Sequence, residues 1–315
     1  MTESEIIIVG GGPAGSACAW RLKQSGRNAL ILDREEFPRL KLCAGWITPK
    51  VLKNLKLRPE EYPHSMITFK KLVYYFSGKK LPIPTRQYSI RRDEFDLWLL
   101  KRSEADFRHH QVCQIKETSG FYVIDDKYRC KYLVGAGGTY CPVYSNLFKE
   151  ISPRTHSHLI TTMEEEFVYN YKDKNCYLWF SDNKLPGYSW YVPKGNGYLN
   201  VGIGGNFRAL RERNETIKEH WNLFIKKLNE KGLVQNFRFQ PRGYHYYLRE
   251  KNKVGQIRNA FIVGDAAGLA TKDMGEGIGP AIESGLLAAD AIINKTPYDP
   301  NTIGRHSYKN ILFPW

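Results

Sequence analysis

The stretch SEIIIVGGGPAGSACAWRLKQSG, residues 4–26, decides the fold. Ile6, Ile7, Ile8 and Val9 form a short apolar run of the kind buried on both faces of a sheet. Gly10, Gly12 and Gly15 follow in GxGxxG order, enclosing Pro13 and Ala14, and open a helix that ends near Gly26. The first glycine permits a tight turn, the second clears room for a pyrophosphate, and the third lets helix and strand pack closely. ALILDREE, residues 29–36, supplies a second buried strand with Asp33 at its end and Arg34 beside it. Strand, turn, helix and acid-ended strand make a βαβ unit whose helix N-terminus faces phosphates and whose carboxylate meets ribose hydroxyls. A bound dinucleotide is expected.

The choice of dinucleotide rests on a stretch far along the chain, FIVGDAAGLATKDMGEGIGPAIESG at 261–285. Its strand delivers Gly264 and Asp265, the acid placed to accept from ribityl hydroxyls. Gly275, Gly277, Ile278 and Gly279 then open a long helix whose amides suit the pyrimidine oxygen of a flavin, where negative charge gathers on reduction. A nicotinamide cofactor needs no such second apparatus, so FAD is the expected cofactor.

Between these ends the pattern changes. KKLVYYFSGKKLPIP, residues 70–84, alternates like antiparallel strands, and residues 152–249 are rich in Tyr, Trp and Thr with one amphipathic helix near 214–230. The expected architecture is α/β: a Rossmann-like FAD-binding domain assembled from 1–60, 86–151 and 255–315, with an inserted antiparallel-sheet substrate domain at 61–85 and 152–254.

VGGGPAGSACAW, RRDEFDLWL, VGAGG, FIVGDAAG with GEGIGPAIESG, and YSWYVPKGNGYLNVGIG span nearly the whole chain. Together they resemble FAD-dependent oxidoreductases of the geranylgeranyl reductase family, within the flavoprotein hydroxylase-like fold. The resemblance implies that Arg92, Ala136 and Gly137 also contact the cofactor. It implies that KLCAG, residues 41–45, lies near the flavin ring through Cys43, Ala44 and Gly45. Here the family's cysteine is kept while one glycine has become Ala44. It further implies a hydrophobic, isoprenoid-like substrate whose carbon–carbon double bonds are reduced, and an external electron donor, NAD(P)H or a reduced carrier protein. Only about twenty residues follow the long helix, where many members carry a longer helical tail.

On the substrate side Cys43 is a candidate for proton delivery or flavin tuning, with Lys41 as a nearby cation, or else a small buried residue in a tight loop. Trp190 is a candidate wall of an apolar pocket, or a core aromatic. His245 is the histidine expected to reach the cleft between domains, and Asp273 and Glu276 are loop carboxylates able to act as acids. Two rival functions stay open: an oxygen-activating monooxygenase or halogenase, and a non-catalytic or electron-transfer flavoprotein.

Composition narrows the setting. The six cysteines (18, 43, 113, 130, 141, 176) lack CxxC or metal spacing, which suits a reducing compartment and no metal site. The opening MTESEIIIV has neither a basic leader nor a long apolar run, arguing for a cytoplasmic protein, with peripheral membrane contact left open. The net charge of +15 is spread along the chain without a nucleic-acid module. It reads as a basic solvated surface, or as attraction to anionic lipid, an acidic carrier or a phosphorylated substrate.

Overall fold

A computed structural model of the chain describes residues 1–250 and 253–312. Two compact units are present. The first comprises Met1–Arg39, Asp93–Arg154 and Tyr247–Ser307; the second comprises Leu40–Arg92, Thr155–Tyr246 and residues from Tyr308 onward.

The strand Thr2–Val9 lies at the centre of the first unit, parallel to Leu30–Asp33 on one side and to Tyr128–Gly135 on the other. Asp106–His109 and Ala260–Ile262 extend the parallel sheet at its two ends. Such strands need crossovers, and Pro13–Gln24 is the first of them. Both faces of the sheet are covered. Ile6, Ile8, Ile31, Val134 and Phe261 pack with Leu22, Ala288 and Ile292 on one side; Ile7, Val9, Leu32, Leu133 and Ile262 pack with Phe148 and Leu269 on the other. The helices Pro13–Gln24 and Ile278–Asn294 share the first of these cores and are tied at their outer edge by Arg21 and Asp290, 2.7 Å apart.

The second unit is built on one eight-stranded sheet, ordered 242–247, 159–168, 198–206, 187–193, 176–180, 67–76, 79–89 and 46–47. It is largely antiparallel. The exception is Cys176–Phe180 beside Ile67–Phe76, which run parallel because the chain between them passes through the other unit, a crossover of ample length. The helix Ile217–Glu230 covers one face. Thr216 and Glu219 form a capping box at its start, and its apolar stripe buries Trp221, Phe224 and Leu228 against Trp179, Tyr191, Val201 and Ile203.

The unit boundaries differ from those expected. The first crossing falls after Arg39 rather than at 60, because Trp46–Ile47 pairs with Tyr88–Ser89 in the second sheet. The same strand, Lys79–Ser89, runs past residue 85 and carries 86–92 with it. The last helix, Tyr308–Leu312, also joins the second unit: Thr85 Oγ1 donates to the Ile311 carbonyl at 2.5 Å and Gln87 Nε2 to that of Asn310 at 2.8 Å. The later crossings fall at 154/155 and 246/247 instead of 151/152 and 254/255. Among the described residues no helix is long and apolar enough to cross a membrane.

Candidate functional site

In the first unit the sequence-predicted glycines form one cradle. Gly10 sits at φ +112°, and any Cβ on it would strike the Ala136 carbonyl; a Cβ on Gly15 would strike the Gly10 oxygen. The turn therefore closes on the loop carrying Ala136 and Gly137, whose position is fixed by the Ala136 N–H donating to Val9 at 2.7 Å. Gly12 caps the helix that begins at Pro13 without any side-chain hydrogen bond, leaving first-turn amides for an anion. Asp33 is buried and organises the turn: its Oδ2 accepts from the Gly11 N–H at 2.7 Å and its Oδ1 from the Glu35 N–H at 3.0 Å. Arg34 is exposed and paired with Glu35 at 3.4 Å.

The later stretch lies against the same helix. Gly264, at φ +58°, packs on Ala14 and Ala281, and its N–H donates to Ser284 Oγ at 2.9 Å. The Asp265 carboxylate makes no side-chain hydrogen bond among the described residues, and a Cβ on Gly277 would come 3.4 Å from its Oδ1. Gly275 stands at φ +60°, and the helix Ile278–Asn294 starts at Gly277 without a side-chain cap, so the amides at Ile278 and Gly279 are available to an acceptor. Two uncapped helix starts, a free carboxylate and glycine turns that admit close approach fit the pyrophosphate, ribityl and ring oxygens of FAD.

Arg154 was not singled out by sequence. Its Nη1 donates to the Thr139 carbonyl and its Nη2 to the Ala266 carbonyl, both at 2.5 Å, with the guanidinium 3.6 Å above the Tyr144 ring. It thus ties the loop after Gly137 to the Asp265 turn.

The second unit holds Cys43. Its carbonyl accepts from Asn200 Nδ2 at 3.4 Å. Lys194 Nζ donates to the carbonyls of Ala44 and Ile90, the latter at 2.6 Å. Gly45, at φ +60°, has no room for a side chain against Ile90 and Lys194; its N–H meets Cys43 Sγ at 3.4 Å. Burial pushes the Glu164 carboxyl up to about 7 against the pull of Lys194 and the Cys43 N–H, and burial likewise holds the Lys194 ammonium below the usual lysine range. The buried cation at this loop is therefore Lys194. Lys41, the expected one, has its ammonium 3.3 Å over the Tyr244 ring.

Trp190 is buried with its Nε1 donating to Asn200 Oδ1 at 2.7 Å, so it braces the loop through Asn200. His245 lies on the strand Arg242–Tyr247 with its ring edge-on to Phe207 at 5.9 Å and a buried Nδ1 that bonds to nothing among the described residues. Arg92 is buried at the start of the helix Arg92–Arg102. Asp273 closes a loop, accepting from the Ser307 N–H at 2.9 Å, which is a structural duty for a residue considered as an acid.

The family described as NAD(P)-binding Rossmann-like domain matches residues 8–71. An uncharacterized protein of Methanosarcina barkeri is 30% identical over 99% of this chain and 81% of its own length. Digeranylgeranylglycerophospholipid reductase 1 of Methanopyrus kandleri is 26% identical over 64% of this chain and 58% of its own. The chain is an FAD-binding oxidoreductase related to the geranylgeranyl reductase and flavoprotein hydroxylase-like family. The family's fold is visible in a geranylgeranyl bacteriochlorophyll reductase-like protein from Thermoplasma acidophilum, with a TM-score of 0.78 at 22% identity, covering 94% of this chain and 81% of that one. The flavin-dependent brominase Bmp2 shares the fold too, with a TM-score of 0.73 at 18% identity over 93% and 79%. The chain is a flavin-dependent oxidoreductase.

Proposed function

We propose that the chain binds FAD in its first unit and reduces carbon–carbon double bonds of a hydrophobic, isoprenoid-like substrate, drawing electrons from NAD(P)H or a reduced carrier protein. The observation that carries this reading is the partly exposed Cys43 thiol on a loop whose backbone is held by buried polar groups, in a relative of a digeranylgeranylglycerophospholipid reductase. Reduced FAD supplies two electrons and one hydrogen, so the second hydrogen must reach the alkene as a proton.

Cys43 Sγ is the atom proposed to hold that proton. The Gly45 N–H donates to the sulfur at 3.4 Å, which holds Sγ close to the loop's backbone. Lys194 and Asn200 hold the loop's backbone and make no hydrogen bond to the thiol. In the first unit, Asp33, Asp265 and the two helix starts bind and orient the cofactor.

The test uses flavin-loaded protein, reduced chemically without oxygen and divided in two. One portion is mixed with polyprenyl alcohols and the products weighed for two added hydrogens per double bond. The other is mixed with oxygen while spectra are recorded. Hydrogenated product with a featureless return to oxidised flavin supports the reading. A transient absorbing species on the oxygen arm, with unaltered alkene, would replace it by the monooxygenase or halogenase reading.

A further inference from the structure

We infer that Lys194 is a positioning residue that fixes the Cys43–Gly45 loop by its backbone. Its contacts, with those of Asn200 and Ile90, account for most of the loop's polar groups. The Cys43 carbonyl goes to Asn200 and the Ala44 carbonyl to Lys194. The Gly45 N–H goes to Cys43 Sγ, and the Gly45 carbonyl accepts from the Ile90 N–H at 2.8 Å. Lys194 also takes the Ile90 carbonyl, so one ammonium ties both segments that flank Gly45.

The sheet around Lys194 is closely packed. Glu164, Gly202 and Trp190 lie opposite one another on three neighbouring strands. Residue 202 is a glycine because a Cβ there would run into the Trp190 indole and come 2.7 Å from Glu164 Cβ. Lys194 follows the Trp190 strand directly, its own N–H bonded to the Tyr198 carbonyl at 2.8 Å. Groups of this kind are expensive to bury, and apolar residues of similar volume commonly give a protein of equal or greater stability. What apolar residues cannot do is hold a carbonyl or an amide in one place. The loop has no repeating backbone structure of its own, so its geometry depends on these partners.

That the positioned group is a proton donor rests on the function proposed above; the positioning does not. The experiment is hydrogen exchange of the FAD-loaded protein, read by mass spectrometry on the peptide covering 41–47. Wild type is compared with Lys194→Met, Glu164→Gln, the double variant and Cys43→Ala. Lys194→Met is expected to speed exchange in this peptide by about tenfold or more, the effect of losing one hydrogen bond to a charged group, with the strand Tyr198–Asn206 unchanged. Glu164→Gln leaves both Lys194 hydrogen bonds in place and should remain close to wild type. If Lys194→Met does not fold because a buried carboxylate is stranded, the double variant removes both charges and should fold with the same local acceleration. Native exchange at 41–47 in the folded double variant, or equal acceleration throughout the sheet, overturns the inference. Cys43→Ala removes the sulfur that accepts from the Gly45 N–H and should quicken that amide alone, leaving the rest of the peptide native; if its chemistry proves unchanged, the proposed function fails while the positioning stands.

Discussion

Lys194 Nζ lies 2.6 Å from the Ile90 carbonyl oxygen, with none of the lysine exposed. The same ammonium donates to Ala44, so two chain segments far apart in sequence are joined at one atom. Lys194→Met should therefore orphan two carbonyls and leave Glu164 without its neighbouring cation. A loss of about 2–4 kcal/mol in urea denaturation is expected, and the double variant with Glu164→Gln should recover part of it. A Lys194→Met protein as stable as wild type would mean that these carbonyls find other donors.

Gly45 leads to a second expectation. At φ +60°, with Ile90 and Lys194 against its Cα, it tolerates no side chain. Gly45→Ala should cost about 2–3 kcal/mol, combining backbone strain with displacement of the ammonium. Ala44→Gly, which restores the family's glycine, adds freedom only to the unfolded chain and should cost under about 1 kcal/mol. Equal costs for the two would contradict the crowding at Gly45.

Much of the first unit was legible because its constraints are local. The IIIV run, the glycine spacing and Asp33 lie within one βαβ unit, and each requirement is met by a residue type. Glu164 and Lys194 were not legible for the opposite reason. Glu164 stands in the run Glu164–Glu165–Glu166, which resembles a solvated charge cluster. The period of two along Leu159–Val168 separates Glu165 from its neighbours: it accepts from the Gln240 N–H at 2.5 Å, while Glu166 pairs with Arg91 at 2.9 Å. Alternation could have suggested that split. Nothing local could have shown that Glu164 lies opposite Gly202 on the next strand, since that depends on strand order. The boundary after Arg39 was missed likewise, because the two residues Trp46–Ile47 are too short a strand to read.

The Glu164 carboxyl gives a pH dependence with a definite sign. Lys194, the Cys43 N–H and Lys41 pull it down and Glu166 pushes it up, yet burial dominates and carries it from an ordinary 4.5 to about 7. The folded protein thus binds this proton more tightly than the unfolded chain. Its stabilising effect is complete below about pH 4.5 and is lost as pH rises through about 7. Glu164→Gln removes the titration. The stability of wild type relative to this variant should fall by roughly 3 kcal/mol across that window. A difference that is flat with pH, or that rises, would show that Glu164 is ionised throughout.

Asp265 and Arg154 separate cofactor affinity from stability. The Asp265 carboxylate bonds to nothing among the described residues, so Asp265→Ala should leave apoprotein stability within about 0.5 kcal/mol. It should weaken FAD binding by tenfold or more, roughly one hydrogen bond between a carboxylate and a hydroxyl. Arg154→Ala removes the tie between Thr139 and Ala266 and should lower both quantities, stability by about 2–3 kcal/mol. Equilibrium dialysis with FAD and denaturation of the apoproteins measure the two. Unchanged FAD affinity in Asp265→Ala would remove that residue from the cofactor site.

Cys43 is the residue on which the chemistry turns. If its Sγ holds the proton for the alkene, Cys43→Ala should retain FAD and be reduced normally, because neither the cradle nor electron entry involves the thiol. Transfer to the alkene should slow by about 10²–10⁴, the usual contribution of a positioned acid. Cys113 is exposed and remote in sequence, so Cys113→Ala is the matched control and should change neither half-reaction. Anaerobic single-turnover mixing with a polyprenyl alcohol reads the second half-reaction directly, and repeating it in D2O asks whether the missing step is a proton transfer. A normal second half-reaction in Cys43→Ala would return the cysteine to the role of a small side chain in a tight loop. The source of the proton would then have to be sought elsewhere on the loop's own unit, with Nδ1 of His245, which bonds to nothing among the described residues, the next group to replace.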